Sequence, residues 1–244
     1  MPTKFSTTLE KIIPLTSDVR LFHFKINNSQ KLSFLAGQYM MLNVPGENGQ
    51  SVKRLYSLAS PESMNDGFEL LIKIILGGVA GDYLSKIKVG DLAEFDGPAG
   101  LFVMRESARD KIIMVTGTGL APALSMIKSN VAKLLAENKK MILFWGLPNM
   151  NEGYLLDNLK EIAQKYSNFS FHICLSREKN FTPIKSANCF HHDRVTGGWV
   201  EMVGAQDVNK FDYYLCSGRD ILDSLKQHLF DRGVLQENVF FEKF

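Results

Sequence analysis

The 244 residues are 45% hydrophobic and 22% charged, which excludes a disordered chain and supplies core material for one large or two medium domains. A formal charge of +2, from 28 basic and 26 acidic side chains, gives no bulk electrostatic reason for nucleic acid or an anionic membrane as partner. No window approaches the roughly 18 to 20 apolar residues that span a bilayer. The opening "MPTKFSTTLEKIIPL" lacks the apolar stretch of a leader, so a cytoplasmic protein is expected. Cys174, Cys189 and Cys216 are odd in number and widely spaced, which suits reduced thiols rather than a disulfide framework or a four-thiolate iron–sulfur site.

In chain order, the first hundred residues read as short strands separated by turns: "RLFHFKI", with Phe22, Phe24 and Ile26 alternating, then "GQYMMLNVP", "KRLYSLAS", "GFELLIKII" and "DLAEFDGP". Strands at this spacing predict a small antiparallel barrel. One helical stretch, "AGDYLSKI", interrupts them behind Gly77 and Gly78. After "GPAGLFVMRESARD" strand and helix alternate. "KIIMVTG" precedes a helix with Leu124, Ile127, Val131 and Leu134 on one face; "MILFWG" precedes "YLLDNLKEIAQKY"; "FSFHICLS" follows. "FDYYLCSG" leads into "RDILDSLKQHLFDRG", and "NVFFEKF" closes the pattern as a strand. This alternation predicts an open parallel sheet wrapped by helices.

Ligands of such sheets bind beyond the carboxyl ends of the strands. The first end, "TGTGLAP", places Gly117, Thr118 and Gly119 at a helix start, where bare N–H groups can meet a phosphate; a plain tight turn is the equal alternative. The second, "FWGLPN", has no Asp or Glu to grip a ribose 2'-hydroxyl. The third offers Ser176, Arg177 and Lys179, a hydroxyl and two cations suited to a 2'-phosphate, which favours NADPH over NADH. In the barrel half, "LGGVAGDYL" sets Gly77, Gly78 and Gly81 before a short helix, a second possible phosphate turn.

The order of motifs resembles the ferredoxin-NADP reductase superfamily over nearly the whole chain. "RLYS" matches its R-x-Y-S, "AGQYMML" its G-Q-[YF] strand, "GTGLAP" its G-T-G-[IL]-A-P and "FFEKF" its aromatic carboxy terminus. The resemblance implies an FAD-binding β-barrel over residues 1–105 and an NAD(P)-binding α/β domain over 106–244. It further implies that Arg54 meets the flavin phosphates, Tyr56 packs on the isoalloxazine or ribityl portion, and Ser57 lies near the ring's N5 edge. Ile72, Lys73 and the turn Gly78, Val79, Ala80, Gly81 join the FAD set, with Phe244 covering the flavin face. Glu242 and Ser217 line the same crevice.

Three departures stand out. Gly81 replaces the serine of the family's G-x-x-S. "CSGRDIL" replaces C-G-x-x-x-M; aligning Gly218 and Leu222 with that motif assigns the nicotinamide contact to Ser217 and leaves Cys216 to packing. The [2Fe-2S] domain fused in many relatives is missing, so a one-electron carrier is expected to be a separate molecule. The implied activity is hydride transfer from NADPH, or NADH, to FAD and delivery of electrons to ferredoxin, flavodoxin or a separate iron–sulfur protein. Two alternatives stay open: an NAD(P)H:flavin reductase using free flavin, and a flavin- and nucleotide-binding electron-transfer or regulatory subunit of a larger complex. "CFHHD" has ligand-type side chains but no second ligand pair and reads as a polar loop, not a metal site. Hydrolase elbows and phosphate-loop NTPase motifs are lacking.

Overall fold

The computed structural model describes residues 3–46, 50–178, 190–204 and 206–244. They form two compact units: Met1–Met104 with Leu124–Ser129, and Arg105–Ala123 with Asn130–Phe244.

The first unit is an antiparallel six-stranded sheet built from β1 (Thr3–Pro14), β2 (Val19–Ile26), β3 (Tyr39–Pro45), β4 (Ser51–Ser57), β5 (Gly67–Lys73) and β6 (Leu92–Ala99). Its spatial order is β4-β3-β6-β1-β2-β5, and the two edge strands meet at an isolated bridge between Leu58 and Leu70. The sheet is therefore curled on itself, and that leaves few open edges. Phe22, Phe24 and Ile26 are buried as their alternation predicts. Phe24, Phe68 and Phe95 form a cluster of ring centroids 4.9–5.6 Å apart at its centre. The helix α1 (Val79–Lys86) inserts Ala80 and Leu84 into the same core.

β1 is the longest strand, and the apolar pattern does not announce it. Phe5 and Leu9 point inward, but the residue between them on that face is Thr7, fully buried, with its hydroxyl donating to the Ala93 carbonyl at 2.8 Å. A bulge between Leu9 and Lys11 breaks the alternation beyond it.

The second unit is a parallel sheet of β7 (Asp110–Thr116), β8 (Met141–Leu147), β9 (Phe169–Leu175), β10 (Phe190–His191), β11 (Phe211–Ser217) and β12 (Val239–Lys243), in the order β10-β9-β8-β7-β11-β12. Its helices are α2 (Leu120–Ala136), α3 (Leu156–Lys165), α4 (Val195–Val203) and α5 (Arg219–Asp231). The chain winds outward from β7 to β10 and returns to β11 beside β7, so strand order reverses between β7 and β11. At the opposite end of those two strands, Lys111 Nζ is buried and pairs with Asp212 Oδ2 at 2.7 Å.

The polar-loop reading of "CFHHD" is corrected for the residues the structure describes. Phe190 and His191 form β10, and His191 is buried because both ring nitrogens are satisfied: Nε2 with His172 Nδ1 at 2.9 Å and Nδ1 with Glu201 at 2.7 Å. Cys189 lies outside the described residues.

Candidate functional site

Two half-sites, one in each unit, gather most of the residues singled out by sequence. The first lies along β4, an edge strand that pairs with β3 among the described residues. Opposite Leu42 and Met40 respectively, Arg54 and Tyr56 share one face of the strand. Arg54 is exposed; its Nη1 donates to the Lys53 carbonyl at 2.9 Å, and no ion pair holds it among the described residues. Its charge is available to an anion. Tyr56 packs against the barrel core, and burial pushes its hydroxyl above the ordinary phenol range, keeping it a protonated donor. Ser57 follows, partly buried. On the other face Lys53 reaches Asp96 at 2.7 Å, and with a hydrogen bond from Asn43 it anchors β4 across β3 to β6. That contact, chiefly the hydrogen bond from Lys53, holds the Asp96 carboxyl below the usual carboxylate range.

Counting antiparallel from the Leu58–Leu70 bridge, Tyr56 falls opposite Ile72 and Arg54 opposite Ile74 as β4 and β5 part. Ile72 is buried in the core, so only its backbone can serve a ligand; Lys73 pairs with Asp18 at 3.0 Å. The turn into α1 follows directly. No side chain caps α1 behind Gly78, which leaves the N–H groups of its first turn to an outside acceptor. Gly81 is a steric requirement here: a Cβ on it would lie 1.8 Å from the Ile75 carbonyl oxygen. An unpaired guanidinium, an edge strand and an uncapped helix start fit the diphosphate and ring of a flavin dinucleotide.

The second half-site sits at the reversal between β7 and β11. Gly117 adopts φ +51°, a left-handed conformation that favours glycine, and its carbonyl accepts from both Trp145 Nε1 and Tyr154 OH at 3.0 Å each. Trp145 and Tyr154 are buried and meet edge-to-face at 4.8 Å. The turn is thereby held with Thr118 partly exposed beside the start of α2, which no side chain caps. Gly119 packs so closely on β11 that a Cβ would lie 2.3 Å from the Cys216 carbonyl oxygen.

Ser217 is fully buried, its hydroxyl hydrogen-bonded to that of Thr116 across the strand reversal. Cys216 is buried too; burial, and then the Glu242 carboxylate beside it, pushes its thiol far above the ordinary range. Phe244 is exposed and donates its N–H to the Ser217 carbonyl at 3.4 Å. At the end of β9, the main chain of Ser176 and Arg177 is tied to Leu147 and Pro148, leaving the Arg177 guanidinium exposed. Glu178, which interrupts the basic run, is turned back: its carboxylate accepts from Met150 N–H at 3.1 Å. Lys179 lies outside the described residues.

Thr116, Trp145 and Tyr154 were not singled out by sequence. Trp145 and Tyr154 stand in the segments "MILFWG" and "YLLDNLKEIAQKY"; their indole and phenol donors, which need partners when buried, were the usable signal.

The architecture defines a two-domain dinucleotide-dependent flavoprotein, and the comparisons agree. Residues 6–104 match the oxidoreductase FAD-binding domain family, and residues 113–220 match the oxidoreductase NAD-binding domain family. The chain belongs to these FAD- and NAD-binding oxidoreductases. It is 30% identical over 235 residues to the reductase component DmpP of phenol 2-monooxygenase from Pseudomonas sp. strain CF600, covering 96% of this chain and 63% of that protein. It is 27% identical to the toluate 1,2-dioxygenase electron transfer component of Pseudomonas putida, over 98% of this chain and 67% of that one. The chain thus spans about two thirds of the length of these curated relatives. Its fold superimposes on the Amycolatopsis cytochrome P450 reductase GcoB with a TM-score of 0.85 at 26% identity, over 99% of this chain and 70% of the other. A ferredoxin NADP+ reductase from Neisseria gonorrhoeae shares the fold at a TM-score of 0.83 and 18% identity, over 100% and 99% of the two chains. Among the described residues no helix is long and apolar enough to cross a membrane.

Proposed function

We propose that the protein is an FAD-dependent NAD(P)H oxidoreductase that supplies electrons to a separate acceptor. The observation that carries this reading is the presence in one chain of two sites of complementary chemistry: the Arg54–Tyr56 edge with its glycine turn, and the clamped Gly117 turn at the strand reversal. FAD, when bound, supplies the chemistry that accepts two electrons from a reduced nicotinamide coenzyme and releases them one at a time.

The side chains hold and orient. Arg54 neutralises the diphosphate through charge-assisted hydrogen bonds, and Tyr56 offers an aromatic face and a protonated hydroxyl. Ser57 provides a hydroxyl near the reacting edge of the flavin ring. The N–H groups of Gly78, Val79, Ala80 and Gly81 cradle the flavin phosphates, and those of Gly117, Thr118 and Gly119 the coenzyme diphosphate. Ser217 and Glu242 line the nicotinamide end, and Phe244 shields it. The buried Cys216 thiol stays protonated beside Glu242 and serves as packing. No side chain is required as a nucleophile.

Ser176 and Arg177 support NADPH as the donor, because a guanidinium matches phosphate oxygens in a bidentate fashion and Glu178 is withdrawn onto Met150. The acceptor is proposed to be a ferredoxin, a flavodoxin or an iron–sulfur component, in keeping with relatives named as reductase and electron transfer components of oxygenases. These 244 residues contain three cysteines, fewer than a four-cysteine cluster needs.

Anaerobic titration of the purified protein with NADPH and with NADH, followed by flavin absorbance, tests the reading. Bleaching by NADPH at lower concentration than NADH is the expected result; a flavin that stays oxidised with both coenzymes refutes it. The second reading, a reductase of free flavin, is supported by Gly81, which withholds a hydroxyl from the flavin phosphates. A protein that purifies colourless and oxidises NADPH only with added flavin would establish it.

A further inference from the structure

The turn before α1 carries a feature the flavin reading does not call for. The Gly77 N–H, the donor at the mouth of that turn, is already occupied: it donates to Asp82 Oδ1 at 2.9 Å. Gly77 has φ +82°, a left-handed conformation that favours glycine, and a Cβ added to it would meet nothing within 4 Å. The Ile75 carbonyl oxygen closes the other side of the turn, against Gly81. The Asp82 carboxylate therefore sits on the N–H immediately before Gly78, where the proposed phosphate turn begins. Ionised carboxylate and phosphate repel, and the repulsion persists at separations below the Debye length of about 8–10 Å at moderate salt.

We propose that Asp82 is a retention-determining residue: its carboxylate, seated on the Gly77 N–H, weakens binding of the flavin diphosphate and makes FAD exchangeable. The proposal rests on the flavin reading above. It assigns to one side chain the choice between a tightly held prosthetic group and a flavin that comes and goes. The competing role is purely structural, since the same contact resembles a capping interaction at a helix start and stabilises the turn.

Asp82→Asn separates the two, because the amide oxygen still accepts from Gly77 N–H while the charge is gone. The measurement is the dissociation constant of FAD, and of riboflavin, which has no phosphate, for the flavin-free full chain by quenching of flavin fluorescence. The expected result is FAD bound roughly three- to tenfold more tightly by Asp82→Asn at low salt, a gain that shrinks toward unity near 1 M salt, where the Debye length falls to about 3 Å. Riboflavin affinity is unchanged. Asp82→Ala is expected to tighten FAD as well, by less, because it also loses the turn contact. FAD affinity unchanged or lower in Asp82→Asn overturns the proposal, as does an equal gain for riboflavin. If wild-type protein and variant bind neither flavin, the flavin reading itself falls and the proposal with it; flavin binding indifferent to Asp82 sinks the proposal alone.

Discussion

The two glycine turns proposed to hold phosphates are built on opposite plans. The turn at Gly117 is fixed from behind: two buried donors, Trp145 and Tyr154, grip one carbonyl, and Gly119 is wedged against β11. Its N–H groups are presented by a frame that these contacts hold. The turn before α1 is held instead by the Asp82 carboxylate, which accepts from the Gly77 N–H one residue ahead of the donors proposed for the flavin phosphates. Preorganisation from behind lowers the ordering cost of binding, whereas a carboxylate beside the turn adds a like charge to the surroundings of a phosphate. Two glycine-rich turns thus differ in their surroundings for an anion.

The sharpest way to break the rear-fixed turn is Gly119→Ala. The added Cβ meets a carbonyl oxygen of the neighbouring strand at 2.3 Å, so main chain must move. Coenzyme affinity is expected to fall by more than about tenfold and thermal unfolding to show a loss of roughly 1–3 kcal/mol, as for other overpacked sites. Next in size is Arg54→Ala in the barrel half. Removing a charge-assisted partner worth about 1.5–3 kcal/mol should weaken FAD by ten- to a hundredfold while sparing riboflavin and the melting temperature of the flavin-free chain. Equal loss for both flavins would place Arg54 away from the phosphates.

A smaller effect is expected from Trp145→Phe, which leaves Gly117 with Tyr154 as its remaining side-chain donor. One net hydrogen bond, about 1 kcal/mol, corresponds to roughly fivefold weaker coenzyme binding by calorimetry, with FAD binding untouched. Smallest is Lys53→Met, on the face of β4 turned away from Arg54. Lys53 is half exposed, so about 0.5 kcal/mol is expected at pH 7. Asp96 has a lowered carboxyl pKa in the folded protein, so its contribution to stability is complete above the unfolded value near ~3.9 and is lost as pH falls through the lowered one. The variant should show a shallower loss of stability below about pH 4 in denaturation curves.

Sequence gave a clear view of whatever depends on periodicity or on short motifs. The alternation of Phe22, Phe24 and Ile26 and the helical spacing of Leu124, Ile127 and Val131 appear as read. Arg54, Tyr56 and Ser57 are neighbours by chain connectivity alone, so their grouping needed no fold. β1 escaped notice because its inward row includes Thr7, a polar residue whose partner lies 86 positions away. α4 escaped because Gly197 and Gly198 are weak helix formers, although Gly198 lies on Cys174 and His191 and so lets the helix approach β9. The clamp on Gly117 joins residues 28 and 37 positions distant, and no local pattern encodes such a contact. Asp82 carried no signal in the sequence, because its bond to the Gly77 N–H depends on the folded turn.

The two described cysteines offer a clock for the parallel sheet. Cys174 is buried and its thiol is pushed up to about 12, chiefly by burial and then by Asp193 and Glu201; Cys216 is displaced upward in the same way. Since thiolate is the species that alkylates, iodoacetamide at neutral pH can mark either one only when its strand opens. Peptide-resolved labelling rates at these two positions would therefore time the breathing of β9 and β11 separately, without any engineered probe.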